Sequence, residues 1–225
     1  MRVPLRKAYH MTGKLPPSAS VATPVDGARL HAPAASRNAQ ALCDLLRAEA
    51  PHKGRALEIA SGTGQHLVAF ARTLPELIWQ PTDIDPARLA SITEYTRAAA
   101  LPNIHSPARL DAAHPGWARQ YPQQNLIITI NLTHLISATQ VQTVLTEAMK
   151  ALTPGGRFIL YGPFMRDGVL TSAGDARFHT ELSAADPAIG YKNDSDIERW
   201  LGQAGAHQIT RVDMPANNLA FIAAP

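Results

Sequence analysis

The stretch Leu57-Glu58-Ile59-Ala60-Ser61-Gly62-Thr63-Gly64-Gln65-His66-Leu67 decides the fold of this 225-residue chain. An apolar strand runs into a Gly-x-Gly turn, and a helical segment follows. Glycine lets the backbone approach a ligand closely, and a helix N-terminus offers unpaired N–H groups. Together they make a seat for a nucleotide-like cofactor. A dinucleotide fingerprint has a third glycine three residues after the second, where strand and helix pack tightly. Here that position is Leu67, and an acid, Glu58, stands inside the motif. Both features argue against a dinucleotide.

Working outward, Ser36-Arg37-Asn38 opens a helix with Ala39, Leu42, Leu45 and Leu46 on one face, ending near Pro51. Strands are expected over 55–60, 78–82, 104–110, 125–130 and 157–162, with helices over 64–73, 86–100 and 137–152 between them. Pro86 suits a first helical position, with Asp85 as its N-cap. Residues 125–130 are nearly all apolar, as in a strand buried on both faces. Thr153-Pro154-Gly155-Gly156 breaks the helix before the fifth strand. Residues 163–193 read as a long irregular segment, followed by a helix near 194–204 and strands near 208–213 and 218–223. Alternating strands and helices predict an α/β fold with a doubly wound, mostly parallel sheet. A hairpin between the last two strands makes the final one antiparallel.

Composition narrows the function. Hydrophobic residues make up 45% of the chain, and no apolar run approaches the length of a membrane helix. The single cysteine, Cys43, excludes an internal disulfide framework and a cysteine-rich zinc site. The nine histidines form no His-x-x-x-His pair, so no metal site is expected. The net charge of +3 comes from Arg2, Arg6, Lys7 and Lys14, which all precede the first acid, Asp26. The rest of the chain is close to neutral, so neither a nucleic-acid groove nor a membrane surface is expected. Residues 1–33 read as an N-terminal extension, flexible or acting as a lid, and 34–225 as the folded domain. A loose tail predicts that removing residues 1–27 leaves ligand affinity intact; a lid predicts that it does not. The extension lacks the apolar core of a secretory signal, which favours a cytoplasmic location.

In an open α/β sheet, ligands bind outside the carboxyl ends of the strands. Asp83 falls there at the end of the second strand, 21 residues after Gly62. An ionised carboxylate is acceptor-only and can take both hydroxyls of a ribose. Asp111, ending the third strand, suits an adenine amino group, with Trp117 nearby as an apolar lid. Asn131 ends the fourth strand. This ordered set points to S-adenosylmethionine. The predicted cofactor residues are Arg37, Glu58, Ala60, Gly62, Gly64, Asp83, Ile84, Asp111, Ala112 and Asn131. His66 either meets the cofactor carboxylate or packs structurally.

At these residues the chain resembles class I methyltransferases. More narrowly, it resembles the small methyltransferase-like family of bacteria and animals catalogued as a domain of unknown function. The blocks that carry the resemblance are Arg37-Asn38, LEIASGTGQH at 57–66, WQPTDID at 79–85, Asn131 with His134, YGPF at 161–164 and MPANN at 214–218. The resemblance implies a seven-stranded sheet with an antiparallel last strand, and S-adenosylmethionine as cofactor with S-adenosylhomocysteine as product. It brings no substrate. The expected activity is methyl transfer to a small-molecule acceptor; the alternative is a non-catalytic S-adenosylmethionine-binding module. Candidate acceptor residues are His134, Tyr161, Phe164, Asn217 and Asn218. His134 is the candidate base, because its unperturbed pKa of ~6.5 suits proton transfer near neutrality. Tyr161 and Phe164 are expected either to flank the transferred methyl group or to pack in the core at the end of the fifth strand.

Overall fold

Apolar runs at Leu126–Ile128 and Phe158–Leu160 are fully buried and form the centre of the fold. The computed structural model describes residues 15–225. A hairpin of β1 (Thr23–Asp26) and β2 (Arg29–His31) precedes α1 (Pro33–Glu49). Then come β3 (Gly54–Ile59), α2 (Gln65–Thr73), β4 (Leu77–Asp83), α3 (Pro86–Ala99) and β5 (Ala108–Arg109). The chain continues with β6 (Gln124–Ile130), α4 (Ala138–Ala151), β7 (Leu152–Pro163) and α5 (Ala173–Ala185). It ends with α6 (Asp194–Gln203), β8 (Gln208–Met214) and β9 (Asn218–Ala224). Seven strands form one sheet in the order β5-β4-β3-β6-β7-β9-β8. Strands β3 to β7 pair in parallel, and β9 is antiparallel to both its neighbours.

The period of two along each strand divides the core between two faces. On one face Leu57, Ile127, Phe158, Leu160 and Phe221 pack with α4 and α6 residues such as Val144, Leu145 and Ile197. On the other, Ile128, Ile159, Tyr161 and Ala220 pack with Leu42 and Leu46 of α1, Phe70 of α2 and Ile92 of α3. A third cluster joins Leu182, Ile189 and Tyr191 to Ala19 near the start of the described chain.

Four sequence expectations change. Helix α1 begins at Pro33, whose fixed φ suits a first helical position. Ser36 is not its cap; its hydroxyl instead meets His31 Nε2 at 2.9 Å and the Gln65 side chain at 3.1 Å. The third parallel strand shrinks to β5, because Pro102 and Pro107 remove ladder donors and leave Ile104 as an isolated bridge to Trp79. The Thr153–Gly156 breaker lies inside β7 as a bulge, with Gly155 at φ 78°. The segment 163–193 is not irregular throughout, since it contains α5, capped by the Ser172 hydroxyl accepting the Asp175 N–H. Of the extension, residues 1–14 lie outside the described residues, and 15–33 is built as a strap that includes the β1–β2 hairpin.

Among the described residues no helix is long and apolar enough to cross a membrane. Nor does any group of three His, Cys, Asp or Glu side chains there have the arrangement of a metal site.

The glycine turn after β3 rests directly on α3. Gly64 has φ +90°, and a Cβ on it would lie 3.0 Å from Ile92 Cα, a backbone atom. Gly64→Ala is therefore expected to destabilise the fold by about 1–3 kcal/mol, the usual cost of overpacking. The urea midpoint measures it, and Gly62→Ala, whose added Cβ meets only the Ala60 carbonyl at 4.0 Å, should cost less.

Candidate functional site

The turn that follows β3 is held in shape by the end of β4. Ser61 N–H donates to the Thr82 carbonyl at 2.8 Å, and the Thr82 hydroxyl donates to the Glu58 carbonyl at 2.8 Å. Asp83 Oδ2 accepts the Gly62 N–H at 2.9 Å, and its Oδ1 accepts the Asp85 N–H at 3.0 Å. Each oxygen keeps acceptor capacity. Burial raises the Asp83 pKa, and N–H donation from Asp85 and Gly62 opposes the rise. Ala60 adopts φ 54°, a left-handed conformation that L-residues rarely take. Asp85 does cap α3, accepting the Ala87 N–H at 2.8 Å.

Glu58 lies beneath this turn, 2% exposed, and its Oε2 has no hydrogen-bond partner among the described residues. Burial pushes its pKa up to about 8, and the nearby Asp83 charge adds to the rise. A buried, unsatisfied carboxyl oxygen costs stability unless a donor arrives. The space over Gly62, the spare lone pairs of Asp83 and the orphaned Glu58 oxygen are thus three features that a ligand with hydroxyls and a cationic amine would complete.

The remaining strand ends line the same edge. Ile84 is half-buried beside Asp83. Asp111 and Trp117 line a cavity of about 200 Å³ beyond β5. Asp111 Oδ1 accepts the Ala113 N–H at 3.1 Å, and Ala112 is buried. Trp117 is no mobile lid: it is buried in the core, and its indole N–H donates to the Ala112 carbonyl at 3.1 Å. Asn131 has φ 57°, and its N–H donates to the Tyr161 carbonyl at 2.8 Å, which places its side chain beside Gly162. Arg37 is exposed on α1 and makes no hydrogen bond or ion pair among the described residues.

The candidate acceptor residues separate. Tyr161 and Phe164 pack on opposite faces of the sheet and cannot flank one group together. Phe164 is a core residue, edge-on to Phe221 with ring centroids 5.1 Å apart. Tyr161 lies under α1, where burial pushes its phenol up and the adjoining Asn38 side chain holds it back. Asn38 also meets His66 Nε2 at 2.7 Å, and His66 stacks on Phe70. His66 is therefore a structural histidine; burial lowers its pKa to about 4.

His134 follows β6 in a short 3-10 turn, 4% exposed, with Nδ1 unpartnered. Burial, helped by the Lys192 charge, lowers its pKa to about 3. It is a neutral imidazole near pH 7, poorly matched to the base role that its unperturbed pKa implied. Asn217 and Asn218 shape the β8–β9 hairpin. Ala216 and Asn217 both have positive φ, and Asn218 donates to the Pro215 and Ala216 carbonyls at 2.9 and 3.2 Å. Asn217 reaches Asp175 of α5 at 3.3 Å, so MPANN ties the hairpin to the α5 segment.

Sequence reasoning missed Thr133, Lys192 and the role of Asn38. Asn38 had a signal, its place beside Arg37 in a family block. Lys192 had none, because it falls in the segment read as irregular. The strap was also underestimated. Ser18 donates to Glu181 of α5 at 2.7 Å, and Ser20 accepts from Arg88 of α3 at 3.0 Å. Leu30 N–H donates to Ser91 at 2.9 Å, and Ala32 N–H to Gln65 of α2 at 2.7 Å. These anchors lie at the segments following β7, β4 and β3, so the strap crosses the carboxyl edge of the sheet.

Strand order, the antiparallel β9 and the glycine turn at the carboxyl edge define the class I methyltransferase fold. Solved structures agree. An O-methyltransferase family protein of Burkholderia thailandensis matches with TM-score 0.72 and 18% identity over 85% of this chain and 57% of its own. Human N-acetylserotonin methyltransferase, solved with S-adenosylmethionine, matches at 0.70 and 13% identity over 85% and 52%. An O-methyltransferase family 2 protein of Planctomyces limnophilus, solved with apigenin, matches at 0.72 and 17% identity over 85% and 58%. The chain thus spans little more than half the length of these proteins. It belongs to the family described as "Protein of unknown function (DUF938)", which matches residues 29–223.

The buried titratable groups predict a stability profile. His66 and His134 refuse protons that the unfolded chain accepts below its value of 6.5, so stability falls as pH drops through that value. Glu58, at about 8, keeps a proton that the unfolded chain releases above 4.5, so its contribution is lost as pH rises from 4.5 to about 8. Together the three groups place maximal stability at about pH 6.5. Melting temperature against pH checks this, and Glu58→Gln should remove the alkaline fall.

Proposed function

We propose that this protein is a cytoplasmic S-adenosylmethionine-dependent methyltransferase that transfers a methyl group in line to a small-molecule acceptor. The carrying observation is the orphaned, buried Glu58 oxygen beneath a glycine turn tied to Asp83. Glu58 accepts the cofactor's ammonium group, Asp83 the ribose hydroxyls, and Asp111 the adenine amino group beside Ile84 and Ala112. Gly62 opens the backbone to the ligand, Gly64 seats the turn against α3, and Asn131 closes the site at the end of β6. Bound S-adenosylmethionine supplies a methyl group on a sulfonium, a good leaving group. The protein's share of catalysis is positioning, which can contribute ~7–11 kcal/mol through effective molarity. With its pKa lowered to about 3 by burial, His134 is a weak base, and this reading assigns it no proton-removal step. The likeness to methyltransferases solved with small ligands supports this reading.

Two measurements test it. Asp83→Ala should weaken S-adenosylhomocysteine binding at least about tenfold, or ~1.4 kcal/mol, in a calorimetric titration. No binding to the wild-type protein at millimolar ligand, with binding of NAD instead, would overturn the proposal. The strap acts as a lid in this reading, contrary to the loose-tail expectation. Deleting residues 1–27 should accelerate S-adenosylhomocysteine dissociation in stopped-flow, and an unchanged rate would return the segment to a passive tail.

A further inference from the structure

Lys192 lies between α5 and α6 and is 8% exposed, yet among the described residues no carboxylate pairs with it. Its ammonium donates to the Ile136 carbonyl at 2.8 Å and the Gly190 carbonyl at 2.7 Å. The third N–H has no partner among the described residues. Nearby acids are engaged elsewhere. Asp194 pairs with Arg211 at 2.7 Å, and Asp175 accepts the Tyr191 hydroxyl at 3.0 Å and the Ser172 hydroxyl. Two more buried polar atoms at the end of β6 have no partner among the described residues, the Thr133 hydroxyl and His134 Nδ1. The three groups share one locality. Lys192 bonds Ile136, and the Gly190 N–H donates to the His134 carbonyl at 2.9 Å. Aromatic faces surround the histidine, with Phe178 edge-on at 5.5 Å and Tyr191 at 6.1 Å between ring centroids.

Buried charges are ordinarily paired, and a lone ammonium held only by carbonyl dipoles is costly. An unpaired ammonium and two unsatisfied polar atoms in one locality are what an anion would complete. A carboxylate is acceptor-only and takes bonds from Lys192, from Thr133 and from a His134 tautomer protonated at Nδ1. A phosphate dianion would need more cationic charge than this single lysine supplies, and an amine would meet it as a like charge. We propose that the methyl acceptor is a small planar acid whose carboxylate is anchored by Lys192 and Thr133 while its ring lies against Phe178 and Tyr191. This rests on the methyltransferase reading above and names the acceptor class for the same site.

The test is a calorimetric and thermal-shift titration of the S-adenosylhomocysteine-loaded protein with benzoate, benzamide and benzylamine. Benzoate should bind and raise the melting temperature, and neither the neutral nor the cationic analogue should match it. Lys192→Met should lower benzoate affinity at least tenfold while S-adenosylhomocysteine affinity holds, and Lys192→Arg should retain most of it. Equal binding of benzamide, preference for benzylamine, no benzoate binding, or unchanged benzoate affinity in a folded Lys192→Met protein would each overturn the proposal. The wild-type comparison stands even if Lys192→Met does not fold. Failure to load S-adenosylhomocysteine in the first step would instead count against the methyltransferase reading itself.

Discussion

The hydrogen bond from the Gly62 N–H to Asp83 Oδ2 is the constraint on which the site depends. Parallel strands β3 and β4 are joined through a helix, so their carboxyl ends have no covalent reason to hold a fixed relation. Asp83, with Ser61 and Thr82, supplies it. Tightening the turn against β4 forces Ala60 into the left-handed region and seats Gly64 on Ile92. Local strain of about 1–2 kcal/mol at Ala60 is carried by this network. Glu58 is sealed beneath as a result, and its unsatisfied oxygen is a consequence of the same closure.

Past β6, the pleat governs what can meet what. Tyr161 and Phe164 look like partners in sequence, yet the sheet turns them to opposite faces. Tyr161 joins a polar arrangement with Asn38 and His66 under α1. Phe164 joins the core against Phe221. What remains near the end of β6 is His134, held neutral among aromatic rings, beside a lysine with no paired anion among the described residues. The two halves of the site therefore differ in kind: carboxylates dominate beneath the glycine turn, and donors dominate beyond Asn131.

The sheet was legible in the sequence because it is written locally, and so were the residues at its strand ends that are read as the cofactor half. Strands β3, β4 and β6 follow apolar runs, Pro86 and Asp85 mark a helix start, and Asp83 stands at the end of its strand. The acceptor half was not legible, because its groups meet through tertiary packing. Lys192 reaches Ile136 across 56 residues. Helix α5 buries only Leu182 among its own residues, so its apolar period was too faint to read, although Ser172 and Asp175 spelled its cap. The pKa of His134 was misjudged for a related reason: burial among Phe178 and Tyr191 outweighs its intrinsic value, and no sequence pattern reports burial by distant aromatics.

The strap touches α5 through Ser18 and α3 through Ser20, one wall on each side of the mouth. Under the proposed lid role, cofactor and acceptor would share the one conformational cost of closing this segment. Whichever binds first and orders it lowers the cost for the second, which is positive cooperativity without direct contact between them. By linkage the effect is reciprocal, so each ligand holds the other in place.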